Sequence, residues 1–366
     1  MKKGRGWAAW PQLGTAFLLL LPFLSWPMPG SASIGEIVGK AGSLKGAERE
    51  AYLKEGAKKE GRVMLYGTLL PDAFPILQKA FQAEYPSVIL NLYRGSRNEV
   101  LNRTLAEARA GRYAADVIQI ELSYGLAIIR ADLVAPYPFI DTTRFIAGTY
   151  DKKGYWHPIF IQTRALCYNT RWVSPDQAPK SYQDLLHPKW KGKMVLDPEA
   201  AYLLAAMEQS WGRDRAIAYL KELSRQNLHF VRSQGLTVQL VSAGEYELAV
   251  VVVGQSAAEQ RDRGAPLGFS ILSPKILSPH GLFLANRAPH PHAAILFVEW
   301  ITSEKGQKIL AGMGRSPAMK GVPVRHKEFQ IEGDYVVSPE FASALERYLN
   351  DFREIFGLTR SPAGGR

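Results

Sequence analysis

Cysteine is nearly absent from this 366-residue chain. Cys167 stands alone, so no internal disulfide can form and no cysteine pair exists to build a zinc site. There is no Walker A loop, no Gly-x-Gly-x-x-Gly turn opening a helix and no His-Glu-x-x-His pair, which argues against nucleotide hydrolysis, dinucleotide binding and zinc proteolysis. Long runs of like charge are missing too. Lys and Arg number 45 against 34 Asp and Glu, a formal net charge of +11, but the cations are scattered. A solvated basic surface with a modest preference for anionic ligands fits this better than a nucleic-acid footprint, and no nucleic-acid partner is expected. The apolar run from Leu13 to Leu24 falls short of the ~20 residues that span a bilayer. It follows Lys2, Lys3 and Arg5, is broken by Pro27 and Pro29, and leads to the small residues Gly30, Ser31, Ala32 and Ser33. That order reads as a cleavable export signal over residues 1–33, cut after Ala32 or Ser33. No cysteine follows it to carry a lipid anchor.

The rest is globular in composition, 46% hydrophobic and 22% charged, and long enough for two domains. Residues 36–60 are charged and helix-prone. Strands are expected at 63–66, 88–93 and 115–120. A helix with an apolar face at Phe74, Leu77 and Phe81 follows the first, with Asp72 as its cap, and one capped by the Ser96/Glu99 box follows the second. Strand–helix alternation of this kind argues for a parallel sheet covered by helices. It resumes with strands near 164–168, 193–196, 228–231 and 248–253, helices near 201–210, 213–225, 236–242 and 256–263, and a return strand over 281–286. Helices then cover 292–301, 304–310 and about 338–357. Cys167 falls in an apolar strand and reads as core.

The stretch Tyr168–Pro198, YNTRWVSPDQAPKSYQDLLHPKWKGKMVLDP, is the most informative. A strand stops at a polar turn, a proline-rich loop leads to a short helix with Ser181 and Asp184 at capping spacing, and Pro188–Lys193 carries the chain into the next strand. This segment, with Ser303–Leu310, resembles the extracytoplasmic solute-binding proteins of ABC importers, in the branch that includes ferric-iron binders. The likeness covers roughly residues 60–320. It implies an α/β, two-lobed periplasmic-binding-protein fold (type 2), with a ligand cleft between lobes joined by two crossovers, near 156–163 and 268–280. The expected division is residues 34–157 and 276–320 in lobe 1, 158–275 in lobe 2, and 321–366 as C-terminal helices and tail. The implied protein is a monomeric periplasmic receptor, not an enzyme and without a cofactor. It would deliver a small molecule or ion to an inner-membrane ABC permease, or feed a membrane sensor.

Ligands of open α/β sheets bind beyond the carboxyl ends of strands. The candidate contacts are therefore strand-to-helix loops, with Thr68, Ser96, Glu121, Gln162, Thr163, Arg164, Gln234, Gln255 and Ser256 as ligand-binding residues and Arg94 and Arg97 beside them. Several of these loops open helices, whose free N–H groups favour anions. Ferric binders of the resembled family use a tyrosine pair, a glutamate and often a histidine. Glu121 matches the glutamate and is the metal candidate if the cargo is Fe(III). The tyrosine pair falls on Gln255 and Ser256, and the histidine falls within Thr68-Leu69-Leu70, where none exists. Tyr66, Tyr124 and Tyr202 could supply other phenolates but read as packing or rim tyrosines, and His290-Pro291-His292 reads as a loop and cap. The cargo expected is an iron(III)-type or small anionic solute. A competing reading takes Gly254-Gln255-Ser256-Ala257-Ala258 as a nucleophile elbow, with Ser256 attacking, His280, His290 or His292 as base and Asp262 as acid.

Overall fold

The computed structural model describes residues 33–69, 73–333, 335–337 and 344–358. The export signal, the Asp72 cap and the last residues of the tail lie outside them. In chain order the elements are α1 (Ile34–Ser43), α2 (Gly46–Glu60), β1 (Arg62–Gly67), α3 (Ala73–Glu84), β2 (Ile89–Arg94), α4 (Arg97–Arg109), β3 (Val117–Glu121), α5 (Leu122–Arg130), β4 (His157–Asn169), β5 (Met194–Leu196), α6 (Tyr202–Trp211) and α7 (Arg213–Ser224). They continue with β6 (His229–Phe230), α8 (Gln234–Ala243), β7 (Leu248–Val253), α9 (Gly254–Asp262), β8 (Leu267–Ser270), β9 (Lys275–Leu284), α10 (Pro291–Thr302), α11 (Glu304–Gly312), β10 (Ser316–Pro317), β11 (Tyr335–Val337) and α12 (Leu345–Ile355). No helix among the described residues is long and apolar enough to cross a membrane.

The strands form one hydrogen-bonded path, β2-β1-β3-β9-β4-β7-β5-β6, with β10 and β8 on β4 and β11 on β9. Its two ends are parallel (β1 with β2 and β3, β5 with β6 and β7) and its middle is antiparallel. The middle is where the halves join. β4 pairs with β9 from His157 to Thr163, then from Arg164 onward with β7 and β8. The first expected crossover is therefore hydrogen-bonded strand and the second is strand apart from 271–274, and Gln162-Thr163-Arg164 is not a loop but the point where β4 changes partners. Pro158 obscures this in the sequence, and the ladder accommodates it by shifting register between Pro158 and Phe160.

Each half has its own core. One gathers Val63, Leu65, Leu77, Phe81, Phe297 and Trp300. α10 is apolar nearly all round because it lies between α2 and the sheet. The other gathers Leu166, Trp190, Met194, Leu203, Leu220 and Phe352. The 168–198 segment serves this second core. Asp184 N–H donates to Ser181 Oγ at 3.2 Å and Ser181 N–H to Asp184 Oδ2 at 2.9 Å, closing the expected box. Trp190 is buried, and Gly192 takes φ 75°, where a side chain would be strained, before β5 begins. The Ser96/Glu99 box also forms, at 3.3 and 2.6 Å.

Gln307 ties the joint to the helices behind it. Its buried amide donates to Ile159 O at 2.9 Å and Ile301 O at 3.1 Å, and its Oε1 accepts from Ala318 N–H at 2.9 Å. Replacing Gln307 by Leu strands these groups away from water, so the variant is expected to lose about 2–4 kcal/mol in urea unfolding. A loss below about 0.5 kcal/mol, the range of an indifferent surface change, would contradict this placement.

Candidate functional site

Burying a charge without a partner is prohibitively costly, so Arg164 draws attention first. It leaves β4 where the strand changes partners, and its side chain is only 2% exposed. Three elements satisfy it. Nε donates to Ser278 Oγ of β9 at 3.1 Å, Nη1 to Gln234 Oε1 at 3.4 Å and Nη2 to Glu121 Oε1 at 3.4 Å. Its guanidinium plane lies 4.5 Å from the Tyr202 ring, a cation–π contact. Gln234 is held in turn by accepting from Val253 N–H at 2.9 Å and donating to Tyr202 Oη at 3.2 Å. Ser233, just before it, takes φ 97°, a strained backbone for serine that aims the start of α8 at this network.

Glu121 closes the arrangement. β3 runs straight into α5 with no loop, and Glu121 sits at the junction, buried. Its second oxygen, Oε2, accepts from Arg97 Nη1 at 2.8 Å. Burial alone would push this carboxyl up. The Arg97 and Arg164 guanidinium groups outweigh it and hold the carboxyl down to about 2. The carboxylate in return raises Arg97 further above its ordinary value. Arg97 differs from Arg164 in exposure: its side chain is 35% exposed and its guanidinium lies 5.2 Å from the Tyr124 ring. One of its five N–H donors is committed to Glu121, and its fork faces a cavity.

That cavity holds about 650 Å³. One wall is α4 and α5, with Arg97, Glu121 and Tyr124. The facing wall is the end of β5 and the start of α6, with Asp197, Glu199 and Tyr202. Burial raises both phenols, so they are neutral hydroxyls at physiological pH. These two walls therefore offer a guanidinium on one side, carboxylates on the other and a ring on each.

Glu121 and Tyr202 line the cavity, with Arg164 and Gln234 directly behind them. Thr68 donates through N–H and Oγ1 to Gln119 Oε1, at 2.9 and 3.2 Å, and Gln119 Nε2 donates to His280 Nδ1 at 2.9 Å. Ser96 is an exposed helix cap. Gln162 is half-buried on β4. Gln255 is buried: its Oε1 accepts from Thr163 N–H at 3.1 Å and its Nε2 donates to Ser316 Oγ at 2.8 Å. Ser256 lies in the first turn of α9, which starts at Gly254 directly after β7. The structure thus brings Glu121, Arg164 and Gln234 together and leaves Thr68, Thr163 and Gln255 in internal networks. Tyr66 packs against Tyr93 and donates to Glu107. Asp197 and Glu199 were overlooked in the sequence, although they follow a strand and precede a helix, the same signal that singles out Glu121.

The hydrolase arrangement is not assembled. His280 bonds Gln119, His290 bonds Asp116 at 2.8 Å, His292 bonds Glu60 at 2.7 Å, and Asp262 bonds His326 at 2.8 Å. Burial pushes the Cys167 thiol up to about 12, which leaves it inert. No group of three or more His, Cys, Asp and Glu side chains among the described residues could hold a metal ion.

Two helix-covered sheet ends joined by two antiparallel strands, with a polar cavity between the halves, are the architecture of a two-lobed solute-binding protein. Comparison bears this out. The chain belongs to the bacterial extracellular solute-binding protein family, whose model matches residues 77–334, and it is a binding protein and not an enzyme. It is 25% identical over 256 residues to the Fe(3+)-binding periplasmic protein of Serratia marcescens, covering 64% of this chain and 75% of the relative. It is 23% identical over 314 residues to iron uptake protein A1 of a Synechocystis strain, covering 76% and 82%. Among solved structures, iron-bound HitA from Pseudomonas aeruginosa superposes with a TM-score of 0.68 at 20% identity, covering 80% of this chain and 99% of that one. AfuA from Actinobacillus pleuropneumoniae, with fructose-6-phosphate bound, superposes at 0.69 and 19%, covering 82% and 100%. These two establish the type 2 periplasmic-binding-protein fold.

The Glu121 carboxyl gives a pH test. Its depressed value stabilises the fold above the ordinary carboxyl value of 4.5, and that stability is lost as pH falls toward about 2. His157, held neutral by burial at about 4, also costs stability below its ordinary value of 6.5 in wild type and in Glu121→Gln alike, while His280, held neutral by burial at about 3, loses in the variant the Glu121 charge that raises it. The stability difference between the two chains is therefore expected to shrink by about 2 kcal/mol between roughly pH 5 and pH 3 in urea titrations. A difference independent of pH would show that Glu121 is not held as described.

Proposed function

We propose that this protein is a periplasmic receptor that captures a small organic oxyanion and presents it to an inner-membrane ABC permease. Residues 1–33 would be its cleaved export signal. The observation that carries the choice of cargo is Arg97, fixed by Glu121 at 2.8 Å with its fork on the cavity wall. A guanidinium held in place matches a carboxylate or phosphate in bidentate fashion and loses little entropy on binding. Asp197 and Glu199 across the cavity suit hydroxyl or ammonium groups on the same solute, and the two rings suit its apolar faces. We place Arg97, Glu121, Tyr124, Asp197, Glu199 and Tyr202 in the binding set, with Arg164 and Gln234 positioning it. Residues 34–157 and 276–320 form one jaw and 158–275 the other. Closure bends β4 and β9, and a solute touching both jaws shifts the population toward the closed form that the permease reads. The receptor acts as a monomer.

A second reading has one observation in its favour. Tyr124, Tyr202, Asp197 and Glu199 are oxygen donors lining the same cavity, and of the proteins named above the Serratia relative is called Fe(3+)-binding and HitA is iron-bound. In that case ferric iron enters as a chelate whose organic anion Arg97 holds. Bare Fe(III) on the usual set is disfavoured, because Gln255 stands where the phenolates would be and both Glu121 oxygens face guanidinium groups.

Isothermal titration with citrate, glucose 6-phosphate, ferric citrate, ferric chloride and putrescine separates these readings. Binding of at least one organic oxyanion is expected, weakened about tenfold or more, some 1.4 kcal/mol, in Arg97→Ala. Response to ferric citrate but not to citrate selects the chelate. Response only to putrescine, or only to ferric chloride, overturns the oxyanion reading.

A further inference from the structure

The family match ends at residue 334, yet the chain continues into the cleft. β11 pairs parallel to β9 at Lys275–Leu277, beside the joint, and α12 then packs on α6 and α7. α12 is two-faced. Tyr348, Phe352 and Ile355, at i, i+4 and i+7, enter the second core, with Phe352 fully buried. Arg347 grips Glu208 of α6 at 2.9 and 3.3 Å, and Asp351 pairs with Arg213 of α7 at 2.9 Å. These contacts fix the helix to one jaw. A second stripe, Glu346, Leu349 and Arg353 at i, i+3 and i+7, lines the same 650 Å³ cavity that holds Arg97 and Tyr124, with Leu349 at its border with the second core.

We propose that α12 is a third wall of the solute cleft, and that Glu346 and Arg353 contact the cargo and set its size class. This deepens the reading given under Proposed function and rests on it. A single ion held near Glu121 would have no use for a charged wall supplied by a separate helix. A solute of sugar-phosphate size, with an oxyanion at one end and hydroxyls along its length, would meet Arg97 from one jaw and the Arg353 fork and Glu346 carboxylate from the other. The receptor therefore selects an extended polyhydroxylated oxyanion over inorganic phosphate.

The test is titration of glucose 6-phosphate and inorganic phosphate into wild type, Arg353→Ala, Glu346→Ala, Leu349→Trp and Arg97→Ala, with melting temperatures recorded for each. Wild type is expected to bind glucose 6-phosphate at least tenfold more tightly than inorganic phosphate. Arg353→Ala and Glu346→Ala are each expected to lose tenfold or more of the glucose 6-phosphate affinity without a fall in melting temperature, and the cavity-filling Leu349→Trp, whose side chain also touches the second core, to lose the same affinity. If all three stay within twofold of wild type while Arg97→Ala loses binding, α12 is no part of the site and the oxyanion reading stands. If wild type shows no preference for the larger solute, the size-class proposal fails. If Arg97→Ala also binds normally, or wild type binds neither compound, the reading of the whole cavity falls.

Discussion

The structure turns on one buried charge. Arg164 leaves the middle of β4 where water does not reach it, and stripping a guanidinium of its hydration costs several kcal/mol that a well-placed counter-ion must offset. Glu121 supplies that counter-ion from the end of β3. Ser278 binds Nε from β9, Gln234 binds Nη1 from the start of α8, and Tyr202 covers the plane. The network spans both ends of the sheet and the strands that join them. Removing Glu121 would leave Arg164 buried without a counter-ion, a loss of the order of 3–5 kcal/mol, whereas removing Arg164 would leave Glu121 still paired with Arg97. This places the joint between the jaws and the base of the cleft in the same few side chains.

The same interaction decides what the cleft can hold. A carboxylate whose two oxygens each face a guanidinium has given up most of its charge to the protein and is a poor ligand for a hard cation. The second guanidinium, on Arg97, is left partly exposed and rigid. Gln255 is an amide locked to Thr163 and Ser316, at a position where the resemblance to ferric binders implies a phenolate. On the function proposed above, the family's architecture is kept and the cleft recognises an anion.

Much of the fold could be read from residues. The Val63–Tyr66 and Leu248–Val253 runs, the Ser96/Glu99 box and the Ser181/Asp184 spacing are local signals, and local physics made the corresponding elements. The crossing strands were harder, because Pro158 and Pro279 look like interruptions and only the paired partner shows that the ladder tolerates them. The helix-prone stretch 36–60 forms two helices, with the chain breaking after Ser43. In the site, Glu121 and Arg164 were visible as strand-end polar residues. Their mutual pairing, which changes the meaning of both, depends on residues 43 positions apart in sequence. Asp197 and Glu199 obey the same strand-end rule. The cavity face of α12 carries no such signal, since an amphipathic helix reads alike whether its polar stripe faces water or a ligand.

The most direct measurement is the identity of the solute that the full-length receptor carries when purified without denaturation, by mass spectrometry of the released small molecules together with elemental analysis for iron. The account predicts an organic carboxylate or phosphate near one equivalent per chain, with iron present only in proportion to that anion. One equivalent of ferric iron with no organic anion would contradict it.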